Sequence, residues 1–281
     1  MILPAITAAR RFDGSAHAPF LIGDERVGWI RQSDLDALRR WPDVFQIGDA
    51  SVHLAPSLAD VDARTAALGA VIAALHAEGK IPGWRNEIYA IHNDFDAPPL
   101  AFIERAASRF FGTMTYAVHL NGIVKYRDKA PELWIARRAD TKATDPGMLD
   151  NVVAGGIGWG IGIEPTLVKE CWEEAGMSAE LARTAERGGA FHMLQSLPEG
   201  TQAELIYVYD VLLPEDFTSH NQDGEVGEHR IARIEEVARG IEDGQFTVDA
   251  SIATLDCLLR RQWIDADACE GIAALYERPA V

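Results

Sequence analysis

The chain has 281 residues, 48% hydrophobic and 25% charged, which excludes a largely disordered protein and allows a sizeable core. Asp and Glu number 43 against 26 Lys and Arg, a net charge of −17; such a surface repels phosphate backbones and anionic lipid, so neither nucleic acid nor membrane is an expected partner. Three scattered cysteines, an N-terminus whose basic residues follow its apolar stretch, and a longest uncharged run (Asn151 to Ile163) too short and glycine-rich to span a bilayer together predict a soluble protein of the reducing cytoplasm.

Along the chain, Ala18 to Gly23 and Val27 to Ile30 read as a hairpin around Gly23-Asp24-Glu25. Ser33 to Arg40 reads as a short helix capped by Ser33 and stopped by Pro42. Ala59 to Glu78 is an amphipathic helix, with Val61, Leu68, Val71, Ile72 and Leu75 at helical spacing and Gly79 as its stop. A further helix is expected around Pro99 to Arg109. The texture then turns to strands: Thr113 to Leu120, meeting a turn at Asn121-Gly122, then Leu133 to Ala136, Ala190 to Leu194 and Ala203 to Leu213. Helices around Ile234 to Ile241 and Asp249 to Arg261 close the chain. The boundary falls near residue 110, with a small α+β unit over 1–110 and a larger unit over 111–281.

Glu164 to Met177 carries the chemistry. Pro165 suits a first helical turn and Gly176 a left-handed stop. Leu167, Val168, Cys171, Trp172 and Ala175 are assigned to an apolar arc, and Glu170, Glu173 and Glu174 to an opposing acidic arc. Like charges at i, i+3 and i+4 cost the helix a few tenths of a kcal/mol (about 0.2–0.5) per pair, and their place near its C-terminal half opposes the macrodipole. A hard divalent cation offsets both; a solvated acidic face is the plainer alternative. Before this helix stand five glycines (Gly155, Gly156, Gly158, Gly160, Gly162), spacing that lets backbone approach an anion.

The run Lys169-Glu170-Cys171-Trp172-Glu173-Glu174-Ala175-Gly176-Met177 resembles the second half of the Nudix hydrolase box, G-x5-E-x7-R-E-U-x-E-E-x-G-U, with Lys169 replacing Arg. Counting back puts Gly155 at the first Gly and Ile161 at the first Glu; starting from Gly156 puts Gly162 there, and either way that Glu is missing. Asp145 to Gly156, Tyr207-Val208-Tyr209-Asp210, Asp223-Gly224-Glu225-Val226 and Gly83 to Glu87 are similar to one branch of the family, which adds an N-terminal domain and is related to the Nudix half of fungal thiamine pyrophosphokinase fusions and to plant chloroplast proteins. The resemblance implies an α/β fold: a Nudix α/β/α sandwich with a mixed sheet, preceded by a small α+β N-terminal domain. It implies Mg²⁺ (or Mn²⁺) held by Glu170, Glu173 and Glu174, and hydrolysis of a small organic diphosphate to the monophosphate. The branch lacks the first Glu as a rule, and its substrates are thiamine diphosphate analogues such as oxythiamine diphosphate. ADP-ribose or nucleotide-sugar hydrolysis and a silent Nudix-fold binding protein are the alternatives.

Glu173, Glu174 and Glu225 are the candidate catalytic carboxylates, Glu225 as general base from a turn-like loop, with Glu228 behind it and a solvated loop acid as the plain reading. Arg137 and Arg138, with Gly155 and Gly156, are the candidate substrate-binding residues, since Arg suits phosphate; a surface pair explains the arginines as well. His119 and His192 read as core histidines. Trp84 and Arg85 either line a cleft or join the two parts. A homodimer is left open.

Overall fold

The structure, a computed structural model, describes residues 3–142 and 144–279; Met1 and Ile2 of the N-terminal stretch read above lie outside them. Helix α1 (Pro4–Ala8) precedes the hairpin of β1 (His17–Ile22) and β2 (Glu25–Arg31), which forms as expected. The next helix is shorter than its pattern. Asp34 is engaged by Arg31 Nε at 2.6 Å, a tight turn occupies Gln32–Asp34, and α2 (Leu35–Leu38) is a single turn that Ser33 does not cap. β3 (Phe45–Ile47) and β4 (Val52–Leu54) complete a sheet of order β2-β1-β4-β3.

Helix α3 (Val61–Ala77) matches its reading: the Asp60 side chain accepts the Ala63 amide, Gly79 stops it at φ +74°, and Leu68, Val71, Ile72 and Leu75 are buried. β5 (Ile88–Ile91) pairs antiparallel with β6 (Ala101–Glu104) where a helix was expected. Ala101 and Ile103 are buried while Phe102 and Glu104 are only half-buried, a period-two pattern that pairing with β5 makes stable. Helix returns only at α4 (Ser108–Phe111). Buried side chains from these sheets, α3 and α4, among them Phe20, Phe45, Phe110 and Phe111, form one core.

The larger part contains β7 (Met114–Val124), β8 (Glu132–Arg138), β9 (Leu149–Asn151), β10 (Val153–Gly156), α5 (Ile163–Ala175), α6 (Ala179–Ala182), β11 (Glu186–Leu197), β12 (Gly200–Leu213), β13 (Val226–Arg233), α7 (Ile234–Glu242) and α8 (Val248–Arg260). Its mixed sheet runs β11-β12-β7-β8-β13, with β10 on β7 and β9 on β8; β7 and β12 are parallel. Alternation divides each central strand between two layers. Tyr116, Val118 and Leu120 face α5, with Tyr207 and Val211; Ala117, Ile123, Ile206 and Val208 face α7 and α8. Leu3, Ala5, Ile6 and Ala9 join that second layer, so α1 and its flanks pack with α7 and α8.

Asn121-Gly122 is not a turn. β7 runs through it, because Asn121 Nδ2 donates to Asp210 Oδ1 (3.1 Å) and the Ala253 carbonyl (3.1 Å), while Gly122 leaves no room for a Cβ, which would lie 2.8 Å from Leu213 Cδ1. Here glycine answers a packing constraint, not a left-handed one.

Candidate functional site

Helix α5 has the predicted limits, with Pro165 in its first turn and Gly176 at φ +63°. Its faces differ from the expected arcs. Leu167, Cys171 and Ala175 are buried against the sheet, but Glu174 is buried with them at 6% exposure, whereas Trp172 is 56% exposed. The reason is rotational: at about 100° per residue, Glu174 lies two turns from Leu167 and shares its face. Its Oε2 accepts the Ala154 amide of β10 at 2.8 Å. Burial raises its carboxyl well above the usual range, opposed by that N–H and reinforced by the charges of Asp150 and Glu170.

Glu170 and Glu173 project beside it. Lys169 Nζ, standing where the box has Arg, donates to Glu170 Oε1 (3.1 Å) and Glu173 Oε2 (2.6 Å). Burial also raises Glu170, although Lys169 pulls it down. Gly155 and Gly156 belong to strand β10, opposite Val118 and Ala117, and only residues 157–162 form the loop. A Cβ on Gly155 would overlap Cγ and Cδ of Glu170; one on Gly156 would overlap the Tyr89 hydroxyl and lie 3.2 Å from Arg105 Nη2. These two glycines therefore admit side chains against the strand, where a backbone anion cradle was expected.

Whether this set suits a divalent cation turns on its donors. Among the described residues, no group of three His, Cys, Asp or Glu side chains is gathered to hold a metal as placed. Yet Glu170 and Glu173 already share one cation, the Lys169 ammonium, and both offer hard oxygens, so the pair suits a hard divalent ion. Glu174, turned to Ala154, fixes the helix to β10.

The other predicted residues are dispersed. Both Glu225 oxygens are engaged, Oε1 by Arg85 Nη1 (3.3 Å) and Oε2 by Lys142 Nζ. Burial would raise its carboxyl, but Lys142, Arg85 and Arg105 outweigh that and hold it low, which makes Glu225 a counter-ion more than a ready base. Arg138 is spent on Asp150 Oδ2 (2.8 Å) and the Thr144 carbonyl (2.9 Å), and Arg137 pairs with Asp140 (2.8 Å), so neither guanidinium is brought to the acidic helix. Glu228 lies on β13 opposite Arg137. His119 is a core histidine bonded to Asn151 Oδ1 (2.8 Å), as expected.

Residues of the N-terminal part complete the neighbourhood. Arg105 Nη1 pairs with Glu87 (2.8 Å), and the guanidinium lies 5.6 Å from the Tyr89 ring centroid. Tyr89 also lines a cleft of about 280 Å³ with His92, Phe95, Met114, Tyr116 and residues 157–162. Ile88, Trp159 and Ile161, the last standing in place of the missing box Glu, are exposed large apolar residues beside it. Trp159 is tilted against Phe102 (5.1 Å) and edge-on to His92 (6.1 Å). Tyr89, Lys142 and Arg105 were not singled out from sequence; they stand in unremarkable local contexts, and only their distant partners mark them. A larger cavity of about 520 Å³, lined by Lys125, Tyr126, Arg260 and Arg261, lies toward the other end of β7, its arginines neutralised by Asp210 and Asp256.

Residues 121–250 match the NUDIX domain family, and residues 1–115 match a family described as a domain of unknown function, DUF4743. The chain is 38% identical over 270 residues to Nudix hydrolase 20, chloroplastic, of Arabidopsis thaliana, covering 92% of this chain and 72% of that protein. It belongs to the Nudix hydrolase family. Nudix hydrolase 24, chloroplastic, of the same plant is equally similar, 38% over 263 residues, 92% of this chain and 72% of that one. Among solved structures, DR0079 from Deinococcus radiodurans aligns with 68% of this chain and 100% of its own at a TM-score of 0.45 and 19% identity. The Nudix protein is thus a hydrolase acting on diphosphate bonds, and its family generally uses divalent metals. One expectation is overturned. Both plant relatives are named chloroplastic, so the cytoplasmic assignment is withdrawn. Free, buried cysteines distinguish a reducing compartment from an oxidising one, but not one reducing compartment from another. No helix among the described residues is long and apolar enough to cross a membrane.

Proposed function

We propose that this Nudix hydrolase cleaves a small organic diphosphate to the monophosphate, with the flat aromatic part of the substrate seated in the cleft between Tyr89, His92, Tyr116 and Trp159. The observation that carries this reading is Tyr89: its ring lines the aromatic cleft, while its hydroxyl lies against Gly156, one residue from the Gly155 that faces Glu170. At about 280 Å³ the cleft is at or just below the small end of the roughly 300–1,000 Å³ usual for ligand sites, which favours one or two rings over a dinucleotide. Thiamine diphosphate analogues such as oxythiamine diphosphate are the preferred substrates on that ground.

Glu170 and Glu173 would hold Mg²⁺ (or Mn²⁺), which when bound neutralises phosphoryl charge and makes a bound water more acidic. Lys169 orients their oxygens. Glu173, at 34% side-chain exposure, is the carboxylate open to a proton from an attacking water, and Glu174 keeps α5 and β10 in register. The boundary proposed near residue 110 then runs through the cleft, whose walls come from both parts. The test is Mg²⁺-dependent monophosphate release from a panel of diphosphates, repeated with Glu173→Gln, which should lose most of it. Preference for ADP-ribose over oxythiamine diphosphate would replace the substrate, and no turnover by the wild type would leave a binding protein.

A further inference from the structure

The N-terminal part does more than wall the cleft. Its Arg105 sits among carboxylates of four separate elements: it pairs with Glu87 at 2.8 Å, and its charge also acts on Glu170 of α5, Glu204 of β12 and Glu225 of the loop before β13. Among the described residues of the Nudix part, Arg138 is taken up by Asp150 and the Thr144 carbonyl, and Arg137 stands against Asp140 and Gly147. Lys142 and Lys169 are likewise held by glutamates.

Arg105 keeps 37% of its side chain exposed, and Gly156 supplies the room its Nη2 occupies beside β10. A guanidinium presents five donors in a planar fork that matches phosphate oxygens, and a single partner at Nη1 does not exhaust it. Its guanidinium lies 5.6 Å from the ring of Tyr89, which lines the aromatic cleft, and beside Gly156, next to the Gly155 that faces Glu170. That is the place where a diphosphate would lie if its aromatic part filled the cleft and its phosphates met the acidic helix.

We infer that Arg105, delivered by the N-terminal part of the chain, binds the phosphate groups of the substrate and so completes the active site of the Nudix part. This rests on the placement of the substrate proposed above. Glu87 then acts as a positioning residue that aims the guanidinium, and Tyr89 as the ring it packs against.

The experiment uses the full chain and methylenediphosphonate, a diphosphate analogue that is not hydrolysed, titrated calorimetrically with Mg²⁺ into wild type, Arg105→Ala, Arg105→Lys and Arg109→Ala. Arg109 is the control: it joins α4 to Glu199 in the β11–β12 turn, an ion pair across the same two parts but outside the cleft. Arg105→Ala is expected to weaken binding about tenfold or more, Arg105→Lys to recover part of it, and Arg109→Ala to stay within about twofold of wild type. In steady-state kinetics on a hydrolysed diphosphate, Arg105→Ala raises KM by a similar factor. Binding by Arg105→Ala within about twofold of wild type, equal weakening by Arg109→Ala, or no binding by the wild type overturns the inference. Should Arg105→Ala fail to fold, Arg105→Lys and Glu87→Gln carry the same comparison. Arg105-dependent binding without turnover of any diphosphate would sink the hydrolytic reading and leave this inference standing; turnover unaffected by Arg105 would do the reverse.

Discussion

Glu174 Oε2 accepts the backbone N–H of Ala154 at 2.8 Å, so a buried carboxylate of the Nudix helix is tied to the strand that carries Gly155 and Gly156. The bond sets the depth of α5 on the sheet, and with it the positions of Glu170 and Glu173.

Replacing Glu174 by Gln keeps an acceptor for that amide and removes a charge that burial disfavours. Glu174→Gln is therefore expected to unfold at the same or a higher denaturant midpoint and to keep most of its Mg²⁺-dependent turnover. Glu174→Ala leaves the Ala154 N–H without its partner and should cost about 1–3 kcal/mol. A Gln variant that is stable yet inactive would contradict this structural role.

Gly155→Ala places a methyl group into Cγ and Cδ of Glu170. Overpacking of this kind costs about 1–3 kcal/mol, part of which Glu170 avoids by rotating away from its place. Gly158, whose Cβ would meet Ile161 Cδ1 at an ordinary 3.4 Å, serves as the comparison. Turnover should fall much further in Gly155→Ala than in Gly158→Ala, and denaturant unfolding measured alongside separates lost stability from lost chemistry.

Trp159 is 46% exposed beside the cleft and rests on Phe102. Removing it costs the fold little but takes away a stacking surface of about 1–3 kcal/mol for a flat ring. Trp159→Ala should raise KM for an aromatic diphosphate about tenfold and leave its kcat nearly unchanged. A substrate with an aliphatic organic group should show no such change.

His192 on β11 is held at about 4 by burial first and by the positive charges of Arg10 and Arg278 next; its Nδ1 has no hydrogen-bond partner in the described structure. The folded value lies below the unfolded one, so the unfolded chain takes up the proton first as pH falls. Stability from this group is whole above about 6.5 and is lost as pH drops toward 4, in total on the order of 1–3 kcal/mol. Urea midpoints measured from pH 7.5 to 4.5 should fall less steeply for His192→Gln than for the wild type.

Local signals and long-range contacts divide this protein unevenly. Helices α3, α5, α7 and α8 and strands β11 and β12 were legible because apolar periodicity and stop residues act within a few positions. Burial of Glu174 was legible too, from rotation about the helix axis, and was missed by grouping it with its acidic neighbours. Asn121-Gly122 misled because the partners that keep it in a strand, Asp210 and Ala253, lie 89 and 132 residues away. Pro99 to Arg109 misled for a similar reason: its strand exists through pairing with β5.

Composition and periodicity determined an acidic protein with carboxylates on one helix, and the likeness of Lys169 to Met177 to the Nudix box supplied the family, because each depends on residues near one another in sequence. Tertiary structure alone decided that Arg137 and Arg138 pair with Asp140 and Asp150, that Tyr89 and Arg105 come against Gly156 of β10, and that Arg85 meets Glu225. The physical reason is that an ion pair or an overlap with a missing Cβ depends on distance in space. Arg105 and Glu170 are 65 residues apart in the chain, and only folding places the charge of one on the other.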